Sequence, residues 1–317
     1  MTYAQFGTVQ AADFNTLVGG NPTTTANTLN ATWSTGGSSA GYGQTAVANV
    51  SAGQTVAAAS QWATLVSNTA SAATHQGSSI TSVSAPVSGG TITFLSAIPT
   101  NLQTIYASRL NAASQGSTTA NTVTTGSTWS QIATWTHTAT FANGDAARYF
   151  FNSGGQLKLT MSHPGGTGIN LLFNGLASNV GTVVMSAPTS GSITVTGTSY
   201  NGITKIGGGG NSPTISQNSG YYAMTTSNAN VFTQLASTGP AAYLSTFIRV
   251  IAKSNGTQGS NSDAGSVITI YTVWDEVPNG LTVASGSAVT LTAQAPETTN
   301  LANTWGTITL AGSVSVT

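Results

Sequence analysis

The sequence predicts an α+β, mainly β protein: a small helical N-terminal region followed by an antiparallel β-sandwich or barrel-like domain. Three observations predict it. Apolar residues recur at helical spacing in segments before residue 114. From about Thr128 the period changes to two. Thr- and Val-rich runs, punctuated by Gly, Ser, Asn and Pro, then follow one another to the C-terminus. The composition shift near residue 117 divides the chain into 1–116, read as a helical region for assembly or anchoring, and 117–317, read as the antiparallel β domain.

In the first segment Thr8 is expected to cap a helix through Val9, Ala12, Phe14, Leu17 and Val18, stopped by Gly19-Gly20. Asp13 falls near its start, where a carboxylate suits the helix dipole. A second helix is expected from Thr55 through Val56, Ala59, Trp62, Leu65, Val66, Ala70 and Ala73. His75 lies in its last turn and Gly77 just beyond, a C-terminal stop. A third covers Asn101 to Ala113, with Leu102, Ile105, Tyr106 and Leu110 on one face. Thr8-Val9 followed by Phe14-Asn15-Thr16-Leu17-Val18 is echoed by Thr55-Val56 followed by Trp62-Ala63-Thr64-Leu65-Val66. A duplicated packing unit leaves such an echo, and so do two amphipathic helices that agree by chance.

Alternation then begins. Trp129, Gln131, Ala133 and Trp135 share one face of a strand that continues to Phe141. Asn143-Gly144 is a turn signal. Arg148 to Phe151, the turn Asn152-Ser153-Gly154-Gly155 and the alternating run Gln156 to Met161 predict a hairpin. Ile169 to Leu176 reads as a short helix against a sheet. Further strands are expected at Ser192–Thr196, Tyr222–Thr225, Ser245–Ala252, Val267–Trp274, Ala288–Ala293 and Gly306–Val316. Gly207 to Gly210 reads as a flexible crossing or a close backbone approach.

Composition narrows the function classes. Of 317 residues only 4% are charged, six basic against six acidic, and there is no cysteine. With 39% hydrophobic residues, nine Phe, nine Tyr and six Trp, the chain can build a core, which argues against disorder. Arg109, Arg148, Lys158, Lys205, Arg249 and Lys253 are scattered, so a nucleic-acid partner is not expected. Nor is membrane insertion, since no stretch approaches the ~20 apolar residues of a spanning helix. Met1 to Phe14 carries neither the basic nor the apolar region of a secretory signal. A surface of hydroxyls and amides at zero net charge does not repel its own kind, which favours self-association.

No motif carries catalysis. The acids are Asp13, Asp145, Asp263, Asp275, Glu276 and Glu297, and only Asp275-Glu276 are adjacent. Neighbours on a strand point to opposite faces, so these two read as strand-end charges. His75, His137 and His163 lack metal-ligand spacing, with His137 expected on a sheet face and His163 in a turn. No GxSxG elbow and no Walker loop is present. No enzyme activity, cofactor or metal is expected. The sharpest local feature holds Asp145, Arg148, Tyr149, Asn152, Gly154 and Gly155, read as a turn or interface in which Asp145 and Arg148 form an exposed pair. A ligand contact through Arg148 and Tyr149 is its functional alternative. Trp129, Trp135, Trp274 and Trp305 are either core or interface residues, or a sugar-stacking platform.

The run Ala147-Arg148-Tyr149-Phe150-Phe151-Asn152-Ser153-Gly154-Gly155-Gln156-Leu157 resembles a segment of structural proteins of tailed bacteriophages, including those infecting cyanobacteria. Asp13-Phe14-Asn15-Thr16-Leu17-Val18-Gly19 and Gly41-Tyr42-Gly43-Gln44 are similar to the N-terminal part of such proteins. The resemblance covers a small part of the chain. It implies a tail, neck or fibre component of the virion, assembled in the host cytoplasm and released by lysis. It also implies a homo-oligomer, trimer or hexamer, that docks to other virion proteins and has no catalytic residues. The main alternative is a receptor-binding module that recognises host cell-surface glycan.

Overall fold

The computed structural model describes residues 11–20, 25–51, 58–87, 96–188, 191–216, 219–259, 262–278 and 280–317. The expected caps Thr8 and Thr55 lie outside the described residues.

Four helices come first: α1 (Ala11–Val18), α2 (Leu29–Trp33), α3 (Ala58–Gln76) and α4 (Ile98–Ala107). They share a core of Phe14, Leu17, Trp62, Leu65, Leu102 and Ile105, with neighbours. The echoed residues meet: Phe14 and Trp62 stack edge to face at 5.0 Å. Gly77, at φ +69°, closes α3, and Ser78 N–H donates back to the Ala73 carbonyl at 2.9 Å. The expected third helix ends early, at Ala107. Arg109 turns away to bond the Ser39 carbonyl, and Ala112 N–H pairs with the Thr194 carbonyl, so the backbone is drawn out of the helix.

The remainder is mainly β, and its named strands pair antiparallel, with one isolated parallel bridge between Ala112 and Val195. In order it runs β1 (Gln115–Thr124), β2 (Ile132–Thr140), α5 (Gly144–Asn152), β3 (Gln156–Ser162), α6 (Ile169–Val180), β4 (Thr182–Met185), β5 (Ile193–Val195), β6 (Thr198–Tyr200), β7 (Ile203–Ile206), β8 (Thr214–Ile215), β9 (Ala229–Leu235), β10 (Phe247–Ser254), β11 (Val267–Asp275), β12 (Ala288–Pro296) and β13 (Thr309–Val316). One sheet has the order β1-β12-β3-β4-β7. The second has the order β13-β2-β11-β10-β9-β8, and β5-β6 form a small ribbon. The two sheets enclose the main core, which includes Trp135, Phe173, Trp274, Leu291, Ile248 and Ile270.

Three expectations are corrected. The hairpin at Arg148 to Met161 is a helix followed by a strand, and β2 and β3 belong to different sheets. Asn143 is the N-cap of α5, its side chain accepting from Ala146 N–H at 2.8 Å, so the Asn-Gly pair starts a helix. Tyr222–Thr225 is not a strand. Tyr221–Ala223 form a 3-10 turn, because the Tyr221 ring stacks on Phe151 at 4.4 Å and its N–H bonds the Ser186 carbonyl. Strands β1, β4 and β6 to β9 were not legible: β1 is Thr-, Asn- and Gly-rich with little apolar alternation, and β4, β6, β7 and β8 are only two to four residues long. The Gly207–Gly210 run is a close approach: a Cβ on Gly208 would sit 2.2 Å from the Asn179 carbonyl oxygen.

Candidate functional site

The feature singled out around Arg148 lies inside the molecule. Helix α5 presents Ala146, Ala147, Phe150 and Phe151 to the core, which turns Arg148 and Asn152 toward the loop 35–41 of the helical region. Arg148 is fully buried. Its Nη1 donates to the Thr35 carbonyl at 2.7 Å and the Ala40 carbonyl at 2.8 Å. Its Nη2 reaches Asp145 Oδ1 at 3.0 Å, and Asp263 Oδ2 lies 3.6 Å from Nε. The guanidinium also covers the Tyr149 ring, 4.8 Å from its centroid. Asn152, likewise fully buried, donates to the Ala40 and Gly41 carbonyls and accepts from the Tyr222 hydroxyl at 2.7 Å.

The expected exposed turn is therefore corrected to an internal joint. One always-charged, planar group satisfies carbonyls that the loop cannot pair for itself, which Lys could not do with the same geometry. Gly43 completes it, because a Cβ there would lie 2.4 Å from the Tyr149 ring. Gly154 and Gly155 serve the same packing, approaching the Ala112 side chain and Phe150. The strings Gly41–Gln44 and Ala147–Leu157, far apart in the chain, are thus packed on each other. Arg109 holds the same loop from the other side through Ser39.

A second tie was missed in the sequence. Glu297, just beyond β12, lies 2.8 Å from His75 Nδ1 at the end of α3. It also accepts from Asn300 N–H at 3.0 Å. The His75 hydrogen bond, with those from Asn300 and Thr299, holds the Glu297 carboxyl down at about 2. Beside it Gln44 exchanges two hydrogen bonds with Ala302, each 2.9 Å, and Leu301 enters the helical core. The only sequence signals were an acid and a histidine 222 residues apart.

The carboxylates are used as clamps. Asp145 accepts from the Ser262 and Asp263 amides as well as Arg148. Glu276 is buried and accepts from the Gly280 and Leu281 amides, while Asp275 ends β11 on the opposite face. Burial pushes the Tyr149 hydroxyl up, and that of Tyr222 far up, so both phenols stay neutral, Tyr149 accepting from Arg148 and Tyr222 donating to Asn152. Among the described residues no group of three His, Asp or Glu could hold a metal ion.

Family models, curated proteins and solved structures were compared with the chain, and none matches.

Of the readings offered for the tryptophans, core placement is the one observed and the sugar platform is not. Trp129, Trp135, Trp274 and Trp305 are at most 3% exposed and belong to the main core. Phe173 stacks on Trp274 at 5.5 Å, Trp135 packs on Trp274 at 5.1 Å, and Trp129 packs on Phe173 at 5.0 Å. No face is left for a sugar. Alternation turns Trp135 of β2 and Trp274 of β11 inward for burial, each worth ~150–250 Å² of surface.

Proposed function

We propose that the chain is a non-enzymatic structural protein of a tailed-bacteriophage virion, a tail, neck or fibre component that works by self-assembly and docking to other virion proteins. One observation carries the reading: in a chain with so few charges, the acids with described partners are committed to clamping loops. Asp145, Glu276 and Glu297 are engaged by backbone amides and basic side chains. That use leaves a neutral hydroxyl and amide surface suited to contact with its own kind. The packing of the two resembling strings on each other supports the same reading, since they form one structural joint. The test is light scattering of the purified chain across a concentration series, followed by electron microscopy. A discrete oligomer that survives high salt is expected. Dissociation by raised ionic strength alone, or turnover of a glycan, would sink the proposal.

The glycan-binding alternative keeps one supporting observation at a new place. A polar cleft of about 360 Å³ is lined by Ser38, Ser39, Arg109, Tyr222, Gln258 and Gly259, where hydroxyl and amide groups suit a sugar. Glycan-array binding abolished by Gln258→Ala would favour it, and an array with no hits would remove it.

A further inference from the structure

The outer faces of the two sheets differ in kind. On the five-stranded sheet the outward residues of β12 and β3 include Thr290, Thr292, Gln294, Lys158 and Thr160, as expected of a solvated antiparallel face. On the six-stranded sheet the alternates of the buried Ile248, Val250 and Ala252 are Phe247, Arg249 and Ile251. The register sets Ile251 opposite Tyr271, and places Leu235, Phe247, Asp275 and Ile132 in one row. The outcome is an outward apolar stripe of Leu235, Phe247, Ile251, Tyr271 and Val273 on β9 to β11, with Leu235 45% exposed and Ile132 in its row 37% exposed, beyond which β2 presents Thr134, Thr136 and Thr138. On the other outer face the apolar Val184, beside Lys158, is covered by Ile193, Val195 and Tyr200, whereas this stripe is uncovered and needs explaining.

Two of the six basic residues lie on this face, against its aromatic rings. The Arg249 guanidinium lies 4.4 Å from the Phe247 centroid, and the Lys253 ammonium 5.8 Å from that of Tyr271. Arg249 Nε–H is buried with no acceptor among the described residues. Buried donors are ordinarily paired, so this one is unusual on an outer face.

We propose that the outer face of the β13-β2-β11-β10-β9 array is the contact surface between copies of this chain. The proposal rests on the self-assembly reading and names its surface. Strands spaced about 4.8 Å apart and rising about 3.3 Å per residue give five strands of eight residues a face of roughly 600 Å². Two such faces bury roughly 1,200 Å², the lower end of a standard stable interface. A second copy is the fitting occupant, because zero net charge removes the repulsion that would keep two identical faces apart. A strongly charged partner would find only Arg249, Lys253 and Asp275 to pair with.

The test uses the full chain and light scattering over a concentration series. Ile251→Lys with Val273→Lys changes two outward residues and should leave circular dichroism unchanged while raising the dissociation concentration at least 100-fold. Ile251→Thr with Val273→Thr keeps strand propensity in case the first pair perturbs folding, and should raise it at least 10-fold. Thr290→Lys with Thr292→Lys, on the other sheet, should change nothing. An oligomer unmoved by both face variants overturns this surface and leaves self-assembly standing, with contact then sought elsewhere on the chain. A wild-type chain monomeric at every concentration overturns both.

Discussion

Arg148 joins two regions through one guanidinium, and its replacement would be felt at several carbonyls and two carboxylates together. Removing one partner of a buried charged group leaves the others uncompensated, a loss of about 3–5 kcal/mol. Arg148→Met is expected to lower unfolding stability by that amount in urea titration. Arg148→Lys should recover little of it, because an ammonium cannot reproduce the fork that reaches Thr35, Ala40 and Asp145. A variant as stable as the wild type would show that the joint does not hold the loop. Three other groups at this scale set the response to acid. Burial lowers His137 and His163 below the usual imidazole value, so the unfolded chain takes up their protons first. Stability from these two is complete above about pH 6.5 and declines as pH falls below it. Glu297 adds a second decline. Its carboxyl is depressed from 4.5 to about 2, so its contribution is present above 4.5 and is lost as pH falls toward 2. Denaturant titrations at a series of pH values should show both declines in the wild type, and Glu297→Gln should remove only the lower one.

Among the elements, α5 is the one that sequence patterning misread. Arg148, Tyr149, Phe150 and Phe151 suit a strand, and Asn143-Gly144 suits a hairpin, so local preference pointed away from a helix. Tertiary contacts decided otherwise, because only a helix sends Ala147, Phe150 and Phe151 inward while Arg148 and Asn152 meet the loop 35–41. Two substitutions separate capping from packing. Asn143→Ala should cost about 1 kcal/mol through loss of the N-cap. Gly144→Ala would raise helix propensity by about 1 kcal/mol in open solvent. Here the new Cβ would lie 2.0 Å from the Asp263 carbonyl oxygen, so a net destabilisation is expected. A rise in melting temperature for Gly144→Ala would mean that the loop bearing Asp263 can move aside. The missed strand β1 is exposed on both faces for much of its length. Without an apolar face it carries no period for a sequence to display.

Across the described residues the helical and β regions are stitched at several places, among them the Arg148 joint, the Glu297–Leu301 segment and the pairing of Ala112 with Thr194. The helical core takes Leu301 from beyond β12, and His75 takes its partner from the same segment. A fragment of residues 1–116 lacks both and is expected not to fold by itself. A cooperative thermal transition in that isolated fragment would contradict this. The same stitching predicts that limited proteolysis of the intact chain will not release residues 117–317 as a trimmed stable domain.

What the sequence determined by itself follows from period and composition. The helices α1, α3, α4 and α6 and the strands β2, β3, β5 and β10 to β13 were readable, because burial of one face writes a repeat into the chain. What only the tertiary structure decided was the fate of the polar and aromatic residues that looked functional. Asp145, Arg148 and Asn152 became an internal joint, and the four tryptophans of the β region became core. Local patterning gives a residue's spacing along an element, whereas its partner depends on segments hundreds of positions away. For Glu297 and His75, and for Arg148 and Thr35, that partner exists only once the chain has folded.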